Sequence, residues 1–478
     1  MGGARSRVSL CLIARDEAEL LPGCLASVRG AVDELVVVDT GSVDGTREVA
    51  RAAGALVLDL PWDDDFSAPR NLAARAASGD WLLVLDADER LAPGAGERLG
   101  RQLAGADFDV GLLRLHNASR RDASPAEVVA GAARFGAPAL LPRLVRNVDR
   151  PEWRGVIHES VGEWLLRRGG RRGLVDLDVM HLGALPSVRR SRDKGERNVA
   201  LLKRRLALEP GDVTPAGYLA LELLDLGRLG EAEVEVERAW ALLAGQPPWR
   251  CLHRLAMARG LLALRASDAV RALATASLAE ARNGPHPDWD YLRAAGLDLQ
   301  AQEAPPGSPG RARLLEAAEA ALRLARERSR GGGPFDLVGL ALETRLQLHL
   351  GSVLLQRGCF EAAGQALAEA LRLEPGNWLA GVGLAEALLG AGEPARALAA
   401  VEPLLGAGPD GWLVAAAAAA SLGATGDARL FLAQAARRAG AGLGSAHRAG
   451  LRQALEGALG TGDGPGAPAG AAGGRPRG

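Results

Sequence analysis

At 478 residues, with 48% hydrophobic side chains, the chain is long enough for two or three separately cored domains. A formal net charge of −1, from 57 Lys and Arg against 58 Asp and Glu, provides no global field for nucleic acid. The four cysteines (Cys11, Cys24, Cys251 and Cys359) match no zinc or redox spacing, and no stretch reaches the ~20 apolar residues of a membrane span. The first residues lack an apolar signal core, and Gly2 with Ser6 matches an acylation signal only as a chance pattern in a Gly-rich chain. The expectation is a soluble cytoplasmic protein with reduced thiols and no transmembrane segment, a peripheral position at a membrane being the alternative.

The first elements alternate. Val8 to Ala14 reads as a strand, Glu17 to Val28 as a helix, and Glu34 to Asp39, with three valines at its heart, as a second strand. The turn Asp39-Thr40-Gly41-Ser42-Val43-Asp44-Gly45-Thr46 has the Gly and Asp of a tight reversal, and Asp44 or Thr46 can cap the helix that runs to about Ala53. Ala55 to Leu60 is a third strand, Ala68 to Ala77 a helix, Trp81 to Leu85 a fourth strand, and Pro93 to Leu103 helix-like. Strands alternating with short helices imply crossover connections, a parallel sheet and a nucleotide-binding α/β half-domain. After the first strand comes Arg15-Asp16-Glu17, so neither the dinucleotide Gly fingerprint nor a Walker phosphate loop is present.

Asp-x-Asp occurs five times, and most instances read as solvated turns. Asp86 and Asp88 differ because they follow the clean apolar run Trp81-Leu82-Leu83-Val84-Leu85. In an open α/β sheet, ligands sit beyond the carboxyl ends of the strands. Two carboxylates so placed repel each other unless a cation lies between them, and hard oxygen ligands suit Mg²⁺ or Mn²⁺ carrying a phosphate. Asp39 ends another strand at the same edge and can accept hydrogen bonds from a base or ribose.

Four segments in this order, Val8 through Glu17, Val36 through Thr46, Asp65-Phe66-Ser67-Ala68-Pro69-Arg70-Asn71 and Gly79 through Glu89, resemble the family 2 glycosyltransferases. The resemblance implies a GT-A fold, a nucleotide-diphosphate-sugar donor, a divalent metal (Mg²⁺ or Mn²⁺) and inversion at the anomeric carbon. It implies that Asp39 binds the base or ribose, that Asp86 and Asp88 hold the metal and diphosphate, and that Ala14, Arg15 and Glu17 form the donor-contacting turn. Arg70 would approach the nucleotide, the alternative being an arginine on a helix surface.

After Asp109 the pattern is mixed, with strands at Val110 to Leu115 and Pro142 to Val145. Inverting transfer needs a general base on the face opposite the leaving phosphate. Glu159, in Pro151-Glu152-Trp153-Arg154-Gly155-Val156-Ile157-His158-Glu159, is the candidate, with Trp153 as an aromatic platform for a sugar ring. The Glu-Asp pair of many relatives is absent here, and His158-Glu159 resembles a variant in a branch related to lipopolysaccharide-core and peptide glycosyltransferases. Otherwise Glu159 is a structural carboxylate orienting His158. Asp176 to His181 reads as a strand, and its terminal His181 matches the third metal ligand of GT-A enzymes, although Leu182 stands where a Tyr commonly follows. The bland reading is a histidine at a domain junction. Arg167, Arg168, Arg171 and Arg172 read as a solvated basic turn, or as a contact for an anionic acceptor.

From about Arg189 the chain turns helical, with Glu196 to Leu208 amphipathic and stopped at Glu209-Pro210-Gly211-Asp212. Gly358, Gly392 and Gly426, Pro375 and Pro409, and Trp378 and Trp412 recur at 34 residues, the tetratricopeptide period. Leu226-Gly227-Arg228 reads as the same turn in an earlier repeat. The expected organisation is a GT-A domain over 1–187, helical repeats over 188–457 and a disordered Gly/Pro/Ala tail over 458–478.

Together these features predict an inverting, metal-dependent glycosyltransferase of the hexosyltransferase type. Its acceptor is a glycan, a lipid-linked saccharide or a peptide, and its repeats bind a protein partner, or serve as a spacer or dimerisation arm. The alternative is a scaffold whose catalytic domain no longer turns over.

Overall fold

The computed structural model describes residues 5–183, 192–245, 252–330, 339–438 and 446–459. The expected boundary at 187/188 and all but the first two residues of the expected tail lie outside them. Eight strands form one sheet: β1 (Val8–Ala14), β2 (Glu34–Asp39), β3 (Leu56–Asp59), β4 (Trp81–Val84), β5 (Glu89–Leu91), β6 (Val110–Ala118), β7 (Arg134–Arg146) and β8 (Arg172–His181). Their order is β3-β2-β1-β4-β7-β6-β8-β5. The first four run parallel, β7 joins β4 antiparallel, and β6 lies between β7 (antiparallel) and β8 (parallel). This is the mixed sheet of a GT-A-like domain.

Helices α1 (Leu21–Ser27), α2 (Thr46–Ala52), α3 (Ser67–Ala76), α4 (Ala95–Leu103), α5 (Pro125–Ala130) and α6 (Gly162–Arg167) connect the strands. Alternation sorts the strand side chains onto two covered faces. Leu10, Leu12, Val37 and Leu83 share a core with Leu21, Leu25 and Leu99 of α1 and α4. Cys11, Val36, Val38, Leu82 and Val84 share the other with Ala73 and Ala74 of α3, and with Trp153 and Trp164. Burial on both faces is why these strands read as unbroken apolar runs.

Long helices follow. α7 (Arg192–Leu208), α8 (Thr214–Asp225), α9 (Leu229–Ala241) and α10 (His253–Arg265) belong to the same compact unit as the sheet, together with the part of α11 (Ala269–Asn283) from Ala274 on. A second unit contains α12 (Pro287–Glu303), α13 (Pro309–Arg330), α14 (Glu343–Gln356), α15 (Phe360–Leu373), α16 (Trp378–Gly390), α17 (Pro394–Val401), α18 (Pro409–Ser421), α19 (Thr425–Arg438) and α20 (Ala446–Leu459). Consecutive helices pack in pairs, and fully buried Ala363 and Ala397 allow close approach. The turns at Gly227, Gly358 and Gly392 are left-handed, with φ of +75°, +73° and +81°. The third expected turn glycine is displaced. Gly423 (φ +77°) closes that pair, and Gly426 lies inside α19, so the last repeat is three residues short of the strict period. Ala415 to Ala419 are buried within α18, and Ala420 is half-buried. Among the described residues no helix is long and apolar enough to cross a membrane.

Candidate active site

The carboxyl edge of the parallel strands gathers the expected donor residues. Asp39 pairs in register with Ala14, and Val84, two residues before Asp86, pairs with Cys11. The turns after β1 and β2 are joined: the amide of Thr40 donates to the Ala14 carbonyl (2.9 Å), that of Asp16 to Ser42 Oγ (3.0 Å) and that of Glu17 to Thr46 Oγ1 (2.8 Å). Asp16 adopts φ +54°, and its Oδ1 accepts from the Val43 amide at 2.8 Å. Ala14 is buried by this arrangement, while Arg15 stays exposed. Asp44 Oδ1 accepts the Thr46 amide at 3.0 Å and so fixes the start of α2.

Asp39 is 1% exposed. Its Oδ1 accepts from the amides of Gly41 (3.1 Å) and Ser42 (3.0 Å) and pairs with Arg47 (2.7 Å). Burial works against the Asp39 carboxylate, but Ser42, Gly41 and Arg47 outweigh it and hold its pKa below the ordinary value. Among the described residues its Oδ2 is buried without a hydrogen-bond partner.

Asp86 sits between two guanidiniums. Arg70 Nη2 lies 2.5 Å from its Oδ1 and Arg143 Nη2 3.1 Å from its Oδ2. Arg70, 7% exposed in its side chain, also donates from Nε to Glu159 Oε1 at 3.0 Å, so one buried cation joins Asp86 to the candidate base. Arg70 is therefore not the helix-surface residue of the alternative reading. Arg143 also bonds Glu89, which is 1% exposed. Burial raises the Asp86 pKa, but Arg70 and Arg143 overcome it and hold the carboxyl far below its usual range. Burial dominates at Glu89, whose pKa is pushed up to about 7 against the opposing Arg143 charge.

His181 comes to Asp88 through the pairing of β5 with β8, in which it lies opposite Glu89. Its Nε2 is 3.5 Å from Asp88 Oδ2, and its Nδ1 is 2.7 Å from Asn117 Oδ1. With Asn117 Oδ1 accepting from Nδ1–H, Nε2 is the nitrogen that faces Asp88, and it donates to that carboxylate when the imidazole is protonated. Burial lowers the imidazole pKa, yet the Asp88 hydrogen bond and charge prevail and raise it. A Cβ at Gly183 would collide with both Asp88 Oδ2 and His181 Nε2, so the space between them depends on that glycine.

Trp153 is not an exposed platform. It is 7% exposed, lies in the core against α3, and exchanges two 2.8 Å hydrogen bonds between its backbone and the Asn71 amide. The basic turn is paired with acids: Arg167 with Glu152 (3.0 Å), Arg168 with Asp109 (3.3 Å) and Asp149, and Arg171 with Asp107 (3.2 Å). Arg143, Glu89, Asn117 and Gly183 were missed in the sequence. An arginine inside the apolar run Leu140 to Val145 was a usable signal, since a charge in a covered strand requires a partner.

A two-faced α/β sheet with carboxylates at its carboxyl edge, followed by paired helices, is a GT-A-like domain followed in the chain by a helical repeat array. Residues 9–158 match the profile of glycosyl transferase family 2, and residues 354–422 match that of the tetratricopeptide repeat. The chain carries a family 2 glycosyl transferase domain and tetratricopeptide repeats. It is 60% identical over 103 residues to a TPR repeat-containing protein of Synechococcus elongatus, covering 22% of this chain and 26% of that one. It is 35% identical over 85 residues to an uncharacterized glycosyltransferase of Rickettsia felis, covering 18% of this chain and 30% of that one. With the glycosyltransferase SunS of Bacillus subtilis it shares 25% identity over 218 residues, 42% of this chain and 45% of SunS. The chain thus spans less than half the length of each of these relatives.

Proposed function

We propose that the protein is an inverting, metal-dependent glycosyltransferase that uses a nucleotide-diphosphate sugar. The observation that carries this reading is Asp39 Oδ2, buried and unpartnered among the described residues at the carboxyl end of β2, on the same sheet edge past which Asp86 and Asp88 follow β4. A buried acceptor left unpaired costs about 1–3 kcal/mol. A base or ribose donor would remove that cost, and Arg70 Nη1, also buried without a partner among the described residues, is a donor suited to a phosphate oxygen.

The residues fit a divalent cation. Asp88 and His181 offer oxygen and nitrogen ligands across a gap that Gly183 keeps open, and Asn117 orients the imidazole. Bound there with help from Asp86, Mg²⁺ or Mn²⁺ would neutralise charge on the departing diphosphate. Glu159 then takes the acceptor hydroxyl proton, and Arg70 keeps its carboxylate beside the donor end of the site. The hydroxyl oxygen bonds to the anomeric carbon as the bond to the diphosphate oxygen breaks.

The acceptor is a glycan, a lipid-linked saccharide or a peptide, and the repeats recruit a protein partner. The test is nucleotide release from a panel of UDP-, GDP- and TDP-sugars, with Mn²⁺ and with EDTA. Metal-dependent release from at least one donor is expected. Absence of both release and metal-dependent thermal stabilisation by any donor would overturn the reading in favour of a non-catalytic scaffold.

A further inference from the structure

The loop bearing Glu159 is secured by helices that follow the sheet domain in the chain. Backbone groups of Arg154 and Ser160 bond each other in both directions at 3.0 Å, closing residues 154–160 into a narrow loop. Two of its residues are left-handed: Gly155 (φ +102°) and His158 (φ +51°). A non-glycine residue in that region persists only where its surroundings over-determine it.

Those surroundings come from α7, α8 and α10. Arg205 of α7 is buried, and its Nη1 donates to the carbonyls of Ile157 (2.7 Å) and His158 (3.2 Å). Its Nε pairs with Glu209 at 3.0 Å, which fixes the guanidinium in place. A Cβ at position 155 would stand 2.5 Å from that guanidinium, so Gly155 serves both its own φ and the approach of Arg205. Tyr218 of α8 stacks on the His158 ring with centroids 3.9 Å apart and planes 15° from parallel. Arg254 of α10 covers the Tyr218 ring at 5.0 Å. α7 also secures the neighbouring strap: Arg204 donates to the carbonyls of Asp63 (2.9 Å) and Asp64 (3.2 Å), and the Phe66 amide donates to the Val156 carbonyl (2.9 Å).

We propose that Arg205 and Tyr218 are positioning residues for glycosyl transfer: these helices set the backbone at 157–158 and thereby hold the Glu159 carboxylate at its working place beside Arg70. The proposal rests on Glu159 being the base. A general base works only within hydrogen-bond reach of the proton it takes, and a misplacement of about 1 Å can cost on the order of 10²-fold in rate. A contact that merely buried surface would need neither two hydrogen bonds to consecutive carbonyls nor a ring stacked on the residue preceding Glu159.

The test uses the full chain with Arg205→Met, Arg205→Lys and Tyr218→Leu. Hydrogen–deuterium exchange is followed in peptides covering 155–160, with peptides from β1 to β4 as the folding control. Exchange in 155–160 should rise about tenfold in the Met and Leu variants, with the control unchanged. In parallel, nucleotide release from UDP-glucose, UDP-N-acetylglucosamine and GDP-mannose is measured with Mn²⁺. For whichever donor the wild type turns over, kcat should fall about 10- to 100-fold while the donor KM stays within about twofold, and Arg205→Lys should recover part of the loss. If Arg205→Met also loosens the control strands, Tyr218→Leu decides. Unchanged exchange in 155–160 in a folded variant overturns the proposal, as does faster exchange with unchanged kcat. If the wild type turns over none of the donors and none stabilises it with Mn²⁺, the reading of the site as a glycosyltransferase fails and the positioning role falls with it, while the exchange arm still decides whether these helices hold the loop.

Discussion

The donor edge and the Glu159 loop are assembled over different distances in the chain. Ala14 and Asp39 end the adjacent parallel strands β1 and β2, whose turns are joined by hydrogen bonds between residues 26 to 29 positions apart, and Asp86 follows two residues after the end of β4 on the other side of β1. Glu159 sits in an irregular loop whose carbonyls are held from α7, 47 and 48 residues on, and whose carboxylate is tied to Arg70, 89 residues back. Strand ends can be located from local sequence pattern, whereas the long-range contacts that hold an irregular loop cannot. The comparison also has an energetic side, because the donor edge retains an unsatisfied acceptor in Asp39 while the loop's carbonyls are already paired.

The strongest way to break the comparison is Glu159→Gln. Loss of the base should lower transfer by up to ~10⁴-fold, while donor binding, read by thermal shift with a nucleotide-sugar and Mn²⁺, should stay near wild type because the edge from Ala14 to Asp88 is intact. Unchanged transfer would move the base elsewhere. Asp88→Asn attacks the other side and should lower turnover by about 10³-fold, as expected for losing several kcal/mol of charge stabilisation on the leaving group. EDTA should reproduce that loss in the wild type. Full activity in either experiment would remove the metal from the reading.

Legibility followed the same division. Asp39 and Asp86 could be found because an acidic residue after a covered apolar run marks a strand end. His181 was found by its place in the order of motifs, and β5–β8 pairing brings it to Asp88. Arg143 was not found, since its meeting with Asp86 depends on β7 returning antiparallel beside β4, where Leu83 faces Leu144. Trp153 was misread for a related reason. Tryptophan beside a candidate base resembles a sugar platform, but the Asn71 amide fixes its backbone and turns the ring into the core. In the repeats the period identified the architecture, and the three-residue shortening that makes Gly423 the turn was hidden by the chance placement of Gly426.

A smaller effect sharpens the donor side. Asn117→Ala removes the acceptor that fixes His181 without touching Asp88. Loss of such an outer partner usually costs 10–100-fold in metal affinity, so Mn²⁺ titration by calorimetry should show weakening of about that size. Gly183→Ala should weaken Mn²⁺ as well, by placing a methyl group between the two ligands. Equal affinity in both variants would mean that the cation is held by other groups.

The smallest expected effect lies on the loop side and depends on pH. His158 is an exposed residue, but Tyr218 covers one face of its imidazole, and that loss of water, with the Arg254 and Arg205 charges nearby, lowers its pKa to about 4. In the unfolded chain an imidazole titrates near ~6.5, so between these values the unfolded state binds more protons than the folded one. The contribution of neutral His158 to stability is therefore fully present above about 6.5 and is lost as pH falls toward 4. Because the residue keeps exposed surface, water screens much of the effect. His158→Asn is the appropriate comparison, since asparagine tolerates a left-handed backbone and carries no titrating group. The difference in thermal midpoint between wild type and His158→Asn should shift against the wild type from pH 7 to pH 5. A difference independent of pH would show that the stack on Tyr218 does not restrain the protonation of His158, and would leave the two carbonyl bonds from Arg205 as the main hold on the loop.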